Sequence, residues 1–160
     1  MLLRLIFLII LNISLDLYGN EPATKDCSKL KNSCEYYLCL ETQKKCGESG
    51  YLKSFGHKYC HRFQTYTSKT LSHQGKIWLR SVRSCLIDEL TKMDPALSCQ
   101  QLKQNAFYSH APCYIKTKFC NLKLKDKYKI IKAIGRGSMN RHAMASGIRV
   151  LRSCRLVRWY

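Results

Sequence analysis

The sequence predicts an all-α fold, a single helical domain stapled by disulfides. Three observations carry that expectation. Apolar residues recur at spacings of three and four through most of the chain, the signature of one helix face. No segment alternates apolar and polar residues with the β-branched enrichment of a strand. Ten cysteines lie within 160 residues, at Cys27, Cys34, Cys39, Cys46, Cys60, Cys85, Cys99, Cys113, Cys120 and Cys154. An even count in a short exported chain reads as a disulfide framework.

Export is read from the N-terminus. Arg4 supplies a positive start, residues 5–17 form an apolar run broken by Asn12 and Asp16, and Gly19 offers a small residue for cleavage. Residues 1–19 therefore read as a signal peptide, because the run falls short of the ~20 residues that cross a bilayer and has no stop-transfer flank. Residues 20–160 read as one domain with a strongly basic C-terminal part. The expected location is secreted and extracellular, or periplasmic in a bacterium. Zinc is the competing use for so many cysteines. It needs closely paired ligands, no Cys-x-x-Cys occurs, and thiolates are oxidised outside a reducing cytosol.

The elements follow in order. Leu30, Cys34, Tyr37 and Leu38 predict a helix over 27–46, broken by Gly47-Glu48-Ser49-Gly50. Leu52, Phe55, Tyr59, Phe63 and Tyr66 predict a second over 52–68. A third follows Gly75, with Leu79, Val82, Leu86 and Leu90 on one face. Asp94-Pro95 reads as a helix start, a capping carboxylate followed by a proline suited to the first turn. It launches 96–108, closed by His110-Ala111-Pro112. A short helix over 126–134 ends at Gly135-Arg136-Gly137. Met144, Ile148, Leu151 and Arg155 mark a last helix, with Cys154 near its inner face. The apolar core is modest for the length. Each bridge closing a loop of ~15 residues adds roughly 3 kcal/mol, so covalent bonds are expected to decide stability.

The charge is high and uneven. The formal net charge is +18, and residues 123–160 hold eleven Lys or Arg against the single acid Asp126. Such asymmetry points to an acidic partner, whether anionic lipid, acidic glycan, nucleic acid or acidic protein, or else to a solvated cationic face. Arg149, Arg152 and Arg155 fall three apart on one helix flank, with Arg158, Trp159 and Tyr160 beyond. Cations beside terminal aromatics suit an anionic membrane surface or a sulfated glycan, so these four arginines form the candidate polyanion-binding site.

No catalytic set emerges. Tyr59-Cys60-His61-Arg62 resembles the Cys-His step of secreted phospholipases A2, but Arg62 stands where a calcium-binding carboxylate is needed. His57 and His61 sit one helical turn apart and could share a metal. No third ligand is apparent and no His-Glu-x-x-His occurs, so two partly exposed surface histidines are expected. His57, His61, His73, His110 and His142 show no local ribonuclease-like arrangement. Asp88 and Glu89 are adjacent and diverge around a helix. Gly135-Arg136-Gly137 follows no strand and lacks the Lys-Ser/Thr ending of a phosphate loop. No catalytic residue, metal or cofactor is expected.

The order of the cysteines says more than their number. Cys34-x4-Cys39-Leu40-Glu41 followed by Cys46 resembles the Cys-x4-Cys-Leu-Glu segment of the stanniocalcins. Gln74-Gly75-Lys76, running through Ile77, Leu79 and Val82 to Cys85, is similar to that family's Gln-Gly-Lys helix. Cys99, Cys113-Tyr114 and Cys120 fall at the intervals of its central helices, and Arg149-Val150-Leu151-Arg152-Ser153-Cys154 resembles the stretch around its last intrachain cysteine. The resemblance spans roughly 27–154. It implies an all-helical secreted regulatory protein, hormone-like, without catalytic activity and linked to calcium and phosphate balance, which acts by binding a protein partner. It also implies the pairs Cys27–Cys39, Cys34–Cys60, Cys46–Cys99, Cys85–Cys113 and Cys120–Cys154. Two features depart from the family. The further cysteine that links two vertebrate chains has no counterpart, so a covalent dimer is not expected. The glycosylation sequon after Cys-Leu-Glu is replaced by Thr42-Gln43.

Overall fold

The computed structural model describes residues 26–135 and 140–155, and for 66–68 the backbone alone. Residues 1–19, read above as a signal peptide, Arg136 and Gly137, and Arg158, Trp159 and Tyr160 lie outside the described residues, as does the side chain of Tyr66. Six helices are present and no strand occurs among the described residues.

A short 3-10 turn, Ser28–Leu30, leads into α1, Glu35–Lys44. The helix predicted over 27–46 is thus shorter and preceded by a turn. It stops where Lys45 adopts a left-handed φ of 51° and its N–H bonds back to the Glu41 carbonyl. Gly47 follows at φ 80°, a value glycine adopts without steric cost. The buried Glu41 carboxylate secures the turn by accepting the Gly47 N–H at 2.6 Å.

The second helix, α2, covers 52–70 and is irregular. π-helical stretches, Leu52–His57 and Phe63–Thr67, alternate with α-helical Lys58–Arg62 and Ser68–Thr70. The sequence supplies the reason. Tyr51, Phe55, Tyr59 and Phe63 recur every four residues. A regular α-helix advances about 40° too far over each such step, whereas wider π turns fall short of a full turn. Alternating the two keeps the aromatic stripe on one face. Gly56 lies inside it because a Cβ there would meet the Tyr37 ring at 2.3 Å.

Helix α3 is His73–Thr91. It begins two residues before the expected Gly75, because the Ser72 hydroxyl accepts the Gly75 N–H at 3.2 Å and caps the helix. Helix α4, Cys99–Lys116, departs further from expectation. Asp94 caps only a turn, accepting the Ala96 N–H at 2.8 Å, while Ser98 and Gln101 form the reciprocal capping box that starts the helix. Pro112 does not end it. The next turn is held in place by the Cys85–Cys113 bridge and by Tyr114 against Trp78 and Phe119. Tertiary packing there outweighs the one hydrogen bond that proline removes.

Helix α5, Leu124–Ile134, ends at Gly135 with φ 67°. Helix α6, Arg141–Ser153, opens on Asn140, whose side-chain oxygen accepts the N–H groups of His142 and Ala143 at 3.0 Å each. Arg155 lies beyond α6 at φ 55°, so it does not continue the helix as expected.

The core has two parts. One gathers Tyr36, Tyr37, Tyr51, Leu52, Ile87, Leu90, Leu102 and Phe107 around Cys27, Cys34, Cys39 and Cys60. The other gathers Leu71, Trp78, Leu79, Val82, Phe119, Leu122, Ile130 and Val150 around Cys113. The described cysteines close five bridges, Cys27–Cys39, Cys34–Cys60, Cys46–Cys99, Cys85–Cys113 and Cys120–Cys154, with none free. These are the same five pairs that the resemblance implies.

Candidate functional site

The aromatic stripe of α2 does not pack solidly against the other helices. Between α2, α3, α4, α5 and α6 lies a cavity of about 910 Å³, lined by the stripe and by Trp78, Leu79, Val82, Phe107, Tyr114, Phe119, Ile130 and Val150. Tyr128 and Ile131 of α5 and Met144 and Ile148 of α6 also line it and are exposed to solvent, so they mark its mouth. The aromatic walls support one another. Phe55 stands edge-on to Phe107 with ring centres 4.6 Å apart, and Trp78 stands edge-on to Tyr114 at 5.2 Å.

Few polar groups enter this lining, and they are the informative ones. Arg83 on α3 is half-buried. Its Nε has no hydrogen-bond partner, and its Nη2 reaches only the Cys34 sulfur at 3.8 Å. No carboxylate among the described residues pairs with it. Burial pulls the guanidinium below its ordinary range, and the nearby Tyr37 phenol opposes that shift. The Trp78 indole N–H is buried and also lacks a partner. Desolvation raises the Tyr37 and Tyr51 phenols and lifts Tyr114 to about 12, so all three stay neutral. His110 lines the cavity among Tyr51, Phe55, Phe107 and Tyr114. Burial lowers its imidazole to about 4 against the opposing bond to the Ala106 carbonyl, so it too is neutral at pH 7.

The candidate polyanion site comes together only in part. Arg149 and Arg152 are exposed on α6, and the Arg149 guanidinium lies over the Tyr108 ring, 4.9 Å from its centre. Arg155 leaves the flank in its left-handed conformation, and Arg158 is outside the described residues. Helix α5 contributes a basic face that the sequence reading did not single out. Leu124, Tyr128 and Ile131 are 75%, 65% and 55% exposed, with Lys123, Lys125 and Lys132 exposed among them. Two further lysines of α5 are committed to the fold. Lys127 donates to the Cys120 carbonyl at 2.7 Å and Lys129 to that of Thr70.

Asp126 anchors this face. Its carboxylate accepts both the N–H and the hydroxyl of Ser72 at the start of α3. Desolvation raises its pKa, but the two Ser72 bonds, Lys129 and Lys123 outweigh that and hold the group below the usual carboxylate range. The carboxylate passes so close to Gly75 that a Cβ there would meet its Cγ at 3.0 Å.

His57 and His61 have a third neighbour after all. Glu35, at the start of α1, places Oε1 3.1 Å from His61 Nε2 and 3.5 Å from His57 Nε2, the second contact too poorly aligned for a hydrogen bond. One ligand atom from each residue falls within 4.8 Å of the others. A two-imidazole, one-carboxylate set can hold zinc or a similar ion, and the same geometry serves as an ion pair. The hydrogen bond from His61 is the largest of the influences that lower the Glu35 pKa. Nothing in the local sequence flags Glu35, because 22 residues separate it from His57.

Comparison with protein-family models, with curated proteins and with solved structures gives no significant match for this chain.

Proposed function

We propose that the protein is an exported, stanniocalcin-like regulatory protein that acts by binding a partner and catalyses no reaction. One observation carries this reading: the five bridges join the pairs that the stanniocalcin resemblance implies, although ten cysteines allow very many other connectivities. The bridges tie successive helices into a rigid frame, which lowers the conformational entropy lost when a surface is recognised. A link to calcium and phosphate balance belongs to the same reading and rests on the resemblance alone. The test is affinity capture with the mature, oxidised protein at physiological salt. A specific protein partner that is lost when the bridges are reduced is expected. No partner across extracellular candidates, or free thiols in the exported material, overturns it.

A second reading is favoured by the α5–α6 face, an exported cationic effector bound to an anionic membrane or an acidic glycan. Exposed Leu124, Tyr128 and Ile131 among lysines suit a lipid surface better than a glycan, since apolar side chains gain by entering the acyl boundary. Cosedimentation with vesicles rich in anionic lipid tests it. Binding should fall steeply with salt and be lost when Leu124, Tyr128 and Ile131 become serine. Salt-insensitive binding that survives the triple change rules it out.

A further inference from the structure

We propose that the central cavity is a binding site for one long-chain carboxylate, a fatty acid, with its head on Arg83 and its chain along the aromatic walls toward Trp78 and Phe119. This goes beyond both readings above and depends on neither.

Three observations lead to that ligand. The volume, about 910 Å³, lies at the upper end of the ~300–1,000 Å³ typical of small-molecule sites, and the lining is mostly aliphatic and aromatic. A space of this character gains by exchanging water for hydrocarbon. Among the described residues, Arg83 is the one charged side chain lining the cavity away from its mouth, where the exposed Lys132 stands. A half-buried guanidinium facing no carboxylate is costly, and a monoanion entering beside it supplies the missing partner. Arginine's planar fork matches a carboxylate through two parallel hydrogen bonds, so a carboxylate head fits better than a neutral alcohol. The third observation is the neutrality of the buried phenols and of His110. The Tyr37, Tyr51 and Tyr114 phenols can donate to a head group, and the unprotonated His110 adds no second cation.

The mouth agrees with this occupant. Tyr128, Ile131, Met144 and Ile148 present exposed apolar surface there, with Lys132 among the lining residues. An amphiphile approaching from solvent or from a membrane would meet hydrocarbon first and cationic groups around it.

Trp78 makes the site observable. The only other tryptophan is Trp159, so a Trp159→Phe background isolates Trp78 fluorescence. The disulfide-intact mature protein is titrated with palmitate below its aggregation concentration, in parallel with hexadecanol, and stoichiometry is read by native mass spectrometry. Saturable one-to-one binding with a change in Trp78 emission is expected, palmitate binding at least 10-fold more tightly than hexadecanol. In Arg83→Met, which keeps the length and apolar stem of the side chain, that preference should vanish while hexadecanol affinity stays within about twofold. Absence of saturable binding, equal affinity for acid and alcohol in the unmodified side-chain set, or an Arg83→Met protein that keeps the preference each overturns the proposal. Should Arg83→Met fail to fold, the acid-against-alcohol comparison in the parent protein decides alone. Many-to-one binding that Leu124→Glu abolishes would place the lipid on the outer face and overturn the cavity site.

Discussion

The two halves of the core solve the same problem differently. In the N-terminal half, Cys27–Cys39 and Cys34–Cys60 lie within a cluster that buries Tyr36, Tyr37, Tyr51 and Leu52, and Cys46–Cys99 ties the turn after α1 to the start of α4. In the C-terminal half, Cys85–Cys113 ties α3 to α4 and Cys120–Cys154 ties the turn before α5 to the end of α6, and α5 and α6 leave Leu124, Tyr128, Ile131, Met144 and Ile148 exposed, four of them at the mouth of the cavity. Both regions are cross-linked and both lend walls to the cavity, but only the second leaves apolar side chains exposed at its mouth. Cross-links make that possible, because a bridge destabilises the unfolded chain whether or not the folded side chains fill their space.

The largest expected effect tests the N-terminal half. Cys46–Cys99 spans 53 residues, the longest separation of the five. Replacing both cysteines with alanine should cost about 4 kcal/mol by the loop-entropy relation, against about 3 for the 12-residue Cys27–Cys39 loop. Urea denaturation of the two double variants measures the difference, and equal losses would show that native packing, rather than chain entropy, sets the worth of these bonds.

Next comes pH, which reports on the cavity between them. His110 has a folded pKa of about 4, below the ordinary 6.5. Between those values the unfolded chain binds a proton that the folded cavity refuses. Its contribution to stability is therefore complete above the ordinary value, falls as pH drops through the window, and levels off below the folded one. The total is at most about 3 kcal/mol. Denaturation midpoints of the parent and His110→Gln proteins, compared from pH 7 to pH 4, should converge as the pH falls. Parallel curves would mean that solvent reaches the imidazole.

Gly56 lies against Tyr37 in the wall of the cavity. Gly56→Ala would drive a methyl group into the Tyr37 ring, and overpacking of that kind costs about 1–3 kcal/mol. A thermal melt tests this, and an unchanged midpoint would mean that the π-helical turn can widen further. Asp126→Asn is expected to be milder, about 1–2 kcal/mol, because the amide keeps one of the two Ser72 bonds and loses the charge at the start of α3. The penalty should be present at neutral pH and shrink as pH falls through the depressed Asp126 pKa, where the parent carboxyl is also protonated. Smallest of all, Leu124→Ser should move stability by less than about 0.5 kcal/mol, since Leu124 is 75% exposed. A larger loss would show that the α5 face is covered in the folded protein.

Much of the helical plan was legible from periodicity, and the misreadings have physical causes. Asp94-Pro95 carries good capping chemistry, but Ser98 and Gln101 satisfy more of the helix's free groups, so α4 begins later. Pro112 reads locally as a terminator, yet the Cys113 bridge and the Tyr114 contacts lie just past it and pull the helix onward. The flank of Arg149, Arg152 and Arg155 assumed one continuous helix, and Arg155 breaks it at φ 55°. Glu35 escaped notice beside His57 and His61 because proximity in space left no mark on spacing in sequence.

By itself the sequence determined the helical class, the even set of cysteines and the concentration of positive charge after residue 122, since each is a property of local pattern or of composition. Only the tertiary structure decided that the aromatic stripe of α2 faces a cavity, that Arg83 stands in its wall without a carboxylate, and that Asp126 holds α5 to the start of α3. Burial and partnership depend on which distant segments meet. The free energy of a charge, a phenol or an imidazole is set by those neighbours rather than by the residues beside it in the chain.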